Sequence, residues 1–349
     1  MRDLWTYLAS TEKPMVMYGM GNGADKIISV LEGFGKDIDD FFASDGFVRG
    51  QIFHGKKVLS FSDIREKYED FIILVSFGTP RRDVLDIIYE MSGKYELYSP
   101  DVPLAGETLF DREFFEANKE KYNKVRDLLA DEESKTIFDN IISYKLSGKI
   151  DFLRKAVSLS QDDVFDFGKY KVTVDAGAYT GDTAREMLGK AGNIEKIICL
   201  EPDFKNFKKL LRFAQESENA KGKVCPIAAG AWNDDTRVSF GTAGNRNSNA
   251  FSGGKENLVD MVKIDTAAKQ CFVDYIKYDV EGAEMNALVG SRETILKSSP
   301  DMLISLYHRS EDIFDIPLYI NENYPQYDLY LRRPECLPAW EINLCAVKR

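Results

Sequence analysis

Histidine is nearly absent: His54 and His308 are the only two in 349 residues. The five cysteines, Cys199, Cys225, Cys271, Cys336 and Cys345, form no Cys-x-x-Cys pair and have no histidine companion at ligand spacing. A metal site built on a spacing motif is therefore excluded, and the thiols read as reduced and mostly buried. Long apolar runs are missing too. The longest, "FIILVSF" at Phe71 to Phe77, is far too short to span a bilayer, and the opening "MRDLWTYLASTEKP" has no apolar core of signal-peptide type. A cytoplasmic protein without a membrane partner is the expectation. Positive charge is scarce as well, with 46 Lys and Arg against 57 Asp and Glu, a net charge of -11 and a pI near 5.0. Such a chain repels a phosphate backbone, which argues against nucleic acid and for a small neutral or cationic ligand. Internal repeats and low-complexity tracts are absent.

What the chain does have is 44% hydrophobic content, enough for substantial cores and, at this length, for two domains. Strand-like runs alternate with helical stretches from "MVMYGM" through "KKVLS" and "FIILVSF" to "KYELYSP". This alternation predicts a small Rossmann-like α/β domain over 1–106. From 107 to 165 the strand signals give way to charged and apolar residues at helical spacing, which predicts a helical bridge that is also a candidate homodimer surface. A second alternating series over 166–349 runs through "KVTVDAG", "KIICLEP", "KVCPIAAGAW", "DYIKYDVEG" and "DMLISLYH" to a closing pair, "YDLYLRR" and "WEINLCAV". Five helix-linked strands and a final hairpin predict a doubly wound, mostly parallel sheet with an antiparallel strand near its edge.

Two glycine loops compete for a nucleotide. In the first, Gly19, Gly21 and Ala24 satisfy the loose G-x-G-x-x-G/A pattern between a strand and a helix, with Asp39, Asp40 and Asp45 where a ribose partner is expected. Nicotinamide binding is thus permitted, but the surrounding residues supply no hydride-transfer apparatus, and His54 reads as part of a surface turn. The stretches "VMYGMGNGA", "DDFFASDG" and "GQIFHGKKVLS" are loosely similar to the nucleotide-sugar-binding domains at the front of bacterial sugar acyltransferases. That resemblance implies a nucleotide ligand for the front domain; a purely scaffolding role is the alternative.

The second loop, "VDAGAYTGDT", says more. Its strand ends in Asp175, Gly177 and Gly181 allow close approach and a tight bend, and Asp182 or Thr183 suits the start of a helix. A carboxylate at a strand tip repels a pyrophosphate but attracts an ammonium group, directly or through water. The next strand ends in Glu201 and Pro202, with Glu201 suited to accept hydrogen bonds from both hydroxyls of a ribose. A cationic amino acid end and an unphosphorylated ribose together describe S-adenosylmethionine. Gly177, Ala178, Tyr179, Gly181, Asp182, Glu201, Pro202 and Asp279, with Asp175, are the expected cofactor contacts. Further on, "YIKYDVEGAEMNALVG" brings Asp279 and Glu281 to a strand end, turns at Gly282, and sends Glu284 into a helix.

The D-x-G-A loop, the Glu-Pro and the segment Lys277, Asp279, Glu281, Gly282 and Glu284 resemble, in order, the FkbM family of S-adenosylmethionine-dependent methyltransferases; Tyr278 replaces a usual small apolar residue. The likeness extends from Leu129 to the end. It implies a class I methyltransferase fold and O-methylation of a hydroxyl on a sugar, glycan or related small molecule. The alternatives are a nicotinamide-dependent oxidoreductase working at the first loop and a nucleotide-sugar-binding protein whose methyltransferase half is inactive.

Methyl transfer needs an acceptor oxygen held in line and a route for its proton. Asp279, Glu281 and His308 are the catalytic candidates, with His308 as base because its ordinary pKa lies near neutrality. The same three side chains are of types that hold a divalent cation, although no spacing demands one. Asn247, Ser248 and Asn249 are candidate acceptor contacts in the polar insertion between the third and fourth strands. Arg309, Arg332 and Arg333 read as solvent-facing charges that could also meet an anionic substrate.

Overall fold

The computed structural model describes residues 3–158, 160, 163–239 and 258–349. Near the amino terminus, β1 (Met15–Tyr18), β2 (Asp40–Phe42), β3 (Ile72–Val75) and β4 (Glu96–Tyr98) pair in the order β2-β1-β3-β4, all parallel. β1, β2 and β3 are buried at every residue, as strands covered on both faces require. The "KKVLS" run adds no strand to this sheet, only a single parallel bridge from Leu59 to Phe42 at the edge of β2. His54 (φ 46) and Gly55 (φ 74) turn the chain back on itself, so Lys56–Lys57 pairs with Ile52–Phe53 in a hairpin.

Helices Arg112–Ala117, Lys119–Leu128, α1 (Glu132–Ser147) and Ile150–Lys155 fill the middle of the chain. Asp131 caps α1 by accepting from the Ser134 amide, and Gly148 ends it in the left-handed conformation at φ 64. Ile137, Phe138, Ile141 and Ile142 bury its apolar face.

The second half builds a seven-stranded sheet from β5 (Val172–Ala176), β6 (Lys196–Leu200), β7 (Val224–Ile227), β8 (Tyr275–Tyr278), β9 (Asp301–Ser305), β10 (Tyr327–Arg332) and β11 (Asn343–Lys348). Their order is β10-β11-β9-β8-β5-β6-β7. Only β11 runs antiparallel to its neighbours, and it is inserted between β9 and β10. The strand order reverses at β5 and β8, and the crevice beyond their carboxyl ends is where such sheets bind ligands.

One hydrophobic core runs through all three regions. It joins Val16 and Val75 of the front sheet to Phe138 and Ile141 of α1 and to Val174, Ile304 and Leu344 of the large sheet. The seam between the sheets is also hydrogen-bonded. The Leu104 and Ala105 amides donate to the His308 carbonyl at 3.0 and 2.8 Å. The Lys26 ammonium donates to the Pro103 and Leu104 carbonyls at 2.6 and 2.8 Å. Thr79 bridges Leu337. No described helix is long and apolar enough to cross a membrane.

Candidate active site

A cavity of about 390 Å³ opens at the carboxyl ends of β5 and β8. Its apolar end is formed by Pro202, Ala231, Trp232, Val238 and Met261, and its charged end by Lys277, Asp279, Glu281, Tyr307 and Arg309; Gly177, Tyr179, Asp182 and Glu201 lie in the wall as well. A second cavity of about 230 Å³, reaching Glu341 and Asn343, shares Asp182, Lys277 and Asp279 with the first.

Gly177 is required where the two strand ends meet. Its φ is 90°, and a Cβ there would stand 1.8 Å from the Asp279 carbonyl oxygen. The Gly177 and Ala178 amides both donate to the Leu200 carbonyl, and the Ala178 side chain is fully buried, so it packs the loop rather than facing the cavity. Tyr179 takes a left-handed φ of 48°, which costs a non-glycine residue of order 1 kcal/mol or more. That conformation lets its amide donate to Glu201 Oε2 at 2.7 Å. Gly181 (φ 85) lies against Phe213 and caps α2 (Asp182–Lys190).

Glu201 also accepts from the Asp203 amide through Oε1, at 2.8 Å. Each carboxylate oxygen keeps a free lone pair. Burial pushes its pKa up to about 7 in spite of the two amides. Asp175 sits differently. It is 2% exposed, neither carboxylate oxygen has a hydrogen-bond partner, and it is not in the cavity wall. Burial raises its pKa to about 6 against the pull of Lys277, its register partner on β8. The structure therefore brings Glu201 to the cavity and leaves Asp175 behind it.

After β8, Glu281 (φ 55) and Gly282 (φ 95) make a left-handed turn. Glu284 opens α3 (Glu284–Val289) and is fully buried. Its Oε1 accepts from the Val280 amide at 2.8 Å and from Gly282 at 3.4 Å, which fixes the turn. Asp279 accepts from Ser305 Oγ at 3.1 Å and from Tyr307 OH at 3.2 Å, and Lys277 Nζ stands 3.1 Å from its other oxygen. Burial works to raise the Asp279 pKa, but Lys277 and His308 hold it below the usual carboxylate range. Lys277 also donates to Thr183 Oγ1 at 3.0 Å.

His308 is 1% exposed. Its Nδ1 lies 2.9 Å from Glu284 Oε1, misaligned for a hydrogen bond. Its Nε2 lies 3.7 Å from both Asp279 Oδ1 and Glu281 Oε2. Burial alone would strip the ring of its proton, but Glu284, Asp279 and Glu281 outweigh it and raise the pKa to about 9. At neutral pH the imidazole is therefore charged, which corrects its reading as a ready base: three carboxylates hold the proton that a base must lack.

The arginines are also corrected. Arg332 and Arg333 are buried, not solvent-facing. Arg332 binds Asp163, Asp131 and Ser134, and Arg333 binds the carbonyls of Leu153, Ala156 and Pro338. Arg332 ties α1 to the large sheet, and Arg333 ties Ile150–Lys155 to the loop at Pro338. Arg309 does reach the cavity and donates to the Gly282 carbonyl at 2.6 Å. Asn247, Ser248 and Asn249 lie outside the described residues.

Missed from the sequence were Tyr307, held on Asp279, and the apolar wall of Trp232, Val238 and Met261. "PIAAGAW" carried the signal for Trp232, an aromatic just past a strand end. At the first loop, added Cβ atoms would stand 2.7 Å from Phe77 and Ser76 side-chain atoms at Gly19 and 2.1 Å from the Ser76 carbonyl oxygen at Gly23. These glycines serve close packing on β3. Asp39 binds the Met15 amide, and Asp40 binds Lys67 and Tyr68.

Residues 175–332 match the family model of the methyltransferase FkbM domain. No curated protein matches the chain by sequence. Among solved structures, the chain is similar to methyltransferase FkbM from Methylobacillus flagellatus KT, with 20% identity, a TM-score of 0.75, and coverage of 96% of this chain and 90% of that one. That likeness takes in the front sheet and the helices as well as the large sheet. An rRNA methylase from Streptococcus thermophilus matches at 10% identity and a TM-score of 0.36, over 54% of this chain and 90% of that one. Aeropyrum pernix fibrillarin, in complex with natively bound S-adenosyl-L-methionine, matches at 14% identity and 0.34, over 52% and 69%.

Proposed function

Since this chain carries a methyltransferase domain of the FkbM family on a class I methyltransferase fold, we propose that it transfers the methyl group of S-adenosylmethionine to a hydroxyl oxygen of a sugar, glycan or related small molecule. The observation that carries the reading is the polarity of the cavity: in strand order the buried carboxylate of Glu201, just past β6, lies between Asp279, just past β8, and the segment after β7 that carries Trp232 and pairs with Met261. Adenine suits the apolar end, ribose hydroxyls suit Glu201, and the sulfonium suits the ionised Asp279. Asp175 acts on the amino acid portion through water or through Lys277 rather than by contact.

The sulfonium already activates its methyl carbon. The protein's tasks are to hold the acceptor oxygen in line, to exclude water and to give the hydroxyl proton a path. Asp279, fixed by Lys277, Ser305 and Tyr307, orients the acceptor hydroxyl, and the half-exposed Glu281 takes its proton. His308 supplies fixed positive charge behind both carboxylates.

Titration calorimetry with S-adenosylhomocysteine, NAD and a UDP-sugar separates this reading from its rivals. Binding of S-adenosylhomocysteine with a loss in Glu201→Ala is expected; binding of NAD alone overturns it. A labelled methyl donor offered with sugar and glycan pools then identifies the acceptor.

A further inference from the structure

The cluster behind the charged end of the cavity holds a buried carboxylate oxygen, Glu284 Oε2, that no described residue satisfies. Asp279, Glu284 and His308 each bring one ligand atom into a group whose members all lie within 4.8 Å of one another. Glu284 Oε2 and His308 Nδ1 are buried with no hydrogen-bond partner, and their residues are 0% and 1% exposed. Buried polar atoms in this condition are rare and call for an ion or a water. The 3.7 Å gaps from His308 Nε2 to Asp279 Oδ1 and Glu281 Oε2 are too long for hydrogen bonds. They match the spacing of atoms around one ion, roughly 3–4 Å when each stands about 2.0–2.3 Å from it. Asp312, 4% exposed, adds a further carboxyl beside Glu284.

We propose that Asp279, Glu284 and one ring nitrogen of His308, closed from the open side by Glu281, hold a hard divalent cation of the Mg²⁺ or Mn²⁺ type, which would displace the proton that the nitrogen carries without it. One imidazole and several carboxylates suit such an ion, and the half-exposed Glu281 leaves positions for water or a substrate oxygen. The role of the ion rests on the methyltransferase reading above, although its binding does not. Held beside Asp279, it would take an acceptor hydroxyl as ligand and lower its pKa. With Glu281 engaged by the ion, the O–H bond breaks with its proton passing to solvent rather than to Glu281, the oxygen bonds to the methyl carbon, and the carbon–sulfur bond breaks to leave a neutral thioether.

The test is titration of the full-length chain, stripped with EDTA and dialysed, with Mn²⁺ alone, followed by electron paramagnetic resonance. One Mn²⁺ per chain is expected, displaced by Mg²⁺, with affinity lowered at least tenfold in Asp279→Asn and in Glu281→Gln and unchanged in Glu322→Gln. Because Glu281 is half exposed, its variant folds even if the buried ones do not, and circular dichroism checks each. No saturable Mn²⁺ binding, or binding untouched in both variants, overturns the proposal in favour of an imidazolium that supplies the positive charge by itself. Binding of Zn²⁺ with none of Mn²⁺ or Mg²⁺ overturns the assignment of a hard ion. A parallel titration with S-adenosylhomocysteine keeps failure of the donor reading separate from failure of the cation site.

Discussion

Gly282 lies so tightly against Ala105 that a Cβ on it would stand 2.4 Å from the Ala105 Cβ. The turn that aims Asp279 and Glu281 is thus pressed against a segment from the front of the chain, and at φ 95 it is in a conformation that side chains rarely adopt. Gly282→Ala is expected to cost about 1–3 kcal/mol of stability from strain and overpacking. Chemical denaturation measures it, and a loss below the error of the method would show that the seam yields freely.

Glu201, with its pKa near 7, is protonated on the acid side of neutrality and cannot then accept from both ribose hydroxyls with full charge. Affinity for S-adenosylhomocysteine is expected to rise between pH 6 and pH 8. Glu201→Gln should flatten that rise and weaken binding at pH 8 by about 10- to 100-fold, as loss of a charge-assisted hydrogen bond of ~1.5–3 kcal/mol implies. Calorimetry at three pH values decides.

Asp175 has two unpartnered oxygens in the interior. Its raised pKa means that the protonated form is favoured on folding, so its contribution to stability falls as pH rises from about 4 to about 6. Asp175→Asn removes that buried charge. At pH 8 the variant is expected to melt no lower than the parent and to lose less donor affinity than Glu201→Gln; a larger donor loss would place Asp175 in direct contact with the ligand.

His308 has the opposite sign. Its pKa is raised from 6.5 to about 9, so the stabilisation from its proton is complete below pH 6.5 and is lost as pH climbs through 9. In the EDTA-stripped chain, stability measured by chemical denaturation is expected to fall between pH 7 and pH 9.5 by more in the parent than in His308→Gln, a difference of a few kcal/mol at most. Parallel curves for the two proteins would contradict the charged ring.

The doubly wound, mostly parallel character of the large sheet was legible because its strands are apolar runs that end in glycine, Glu-Pro or an acidic turn. Glu201, Asp279 and Asp175 could be placed at strand tips from that pattern alone, but not which of them faces the cavity. The "KKVLS" run was not legible as a hairpin, because its fate depends on the positive φ of His54, which no residue preference announces. The charge state of His308 was hidden for a different reason. All three carboxylates that set it, Asp279, Glu281 and Glu284, were visible in "DVEGAE", but their distance from a histidine just past the next strand was not. Arg332 looked like a solvent charge because Asp131 and Ser134, about 200 positions earlier, supply its cover, and Arg333 because the distant carbonyls of Leu153 and Ala156 supply its own.

The amides of Leu104 and Ala105 both end on the His308 carbonyl, and Lys26 in turn binds the carbonyls of Pro103 and Leu104. A graft that exchanged the first hundred residues between homologues would therefore have to import a matching strap with it. Shorn of that strap, the catalytic half would expose a naked main-chain oxygen beside its own buried charges, so the two halves make poor interchangeable parts.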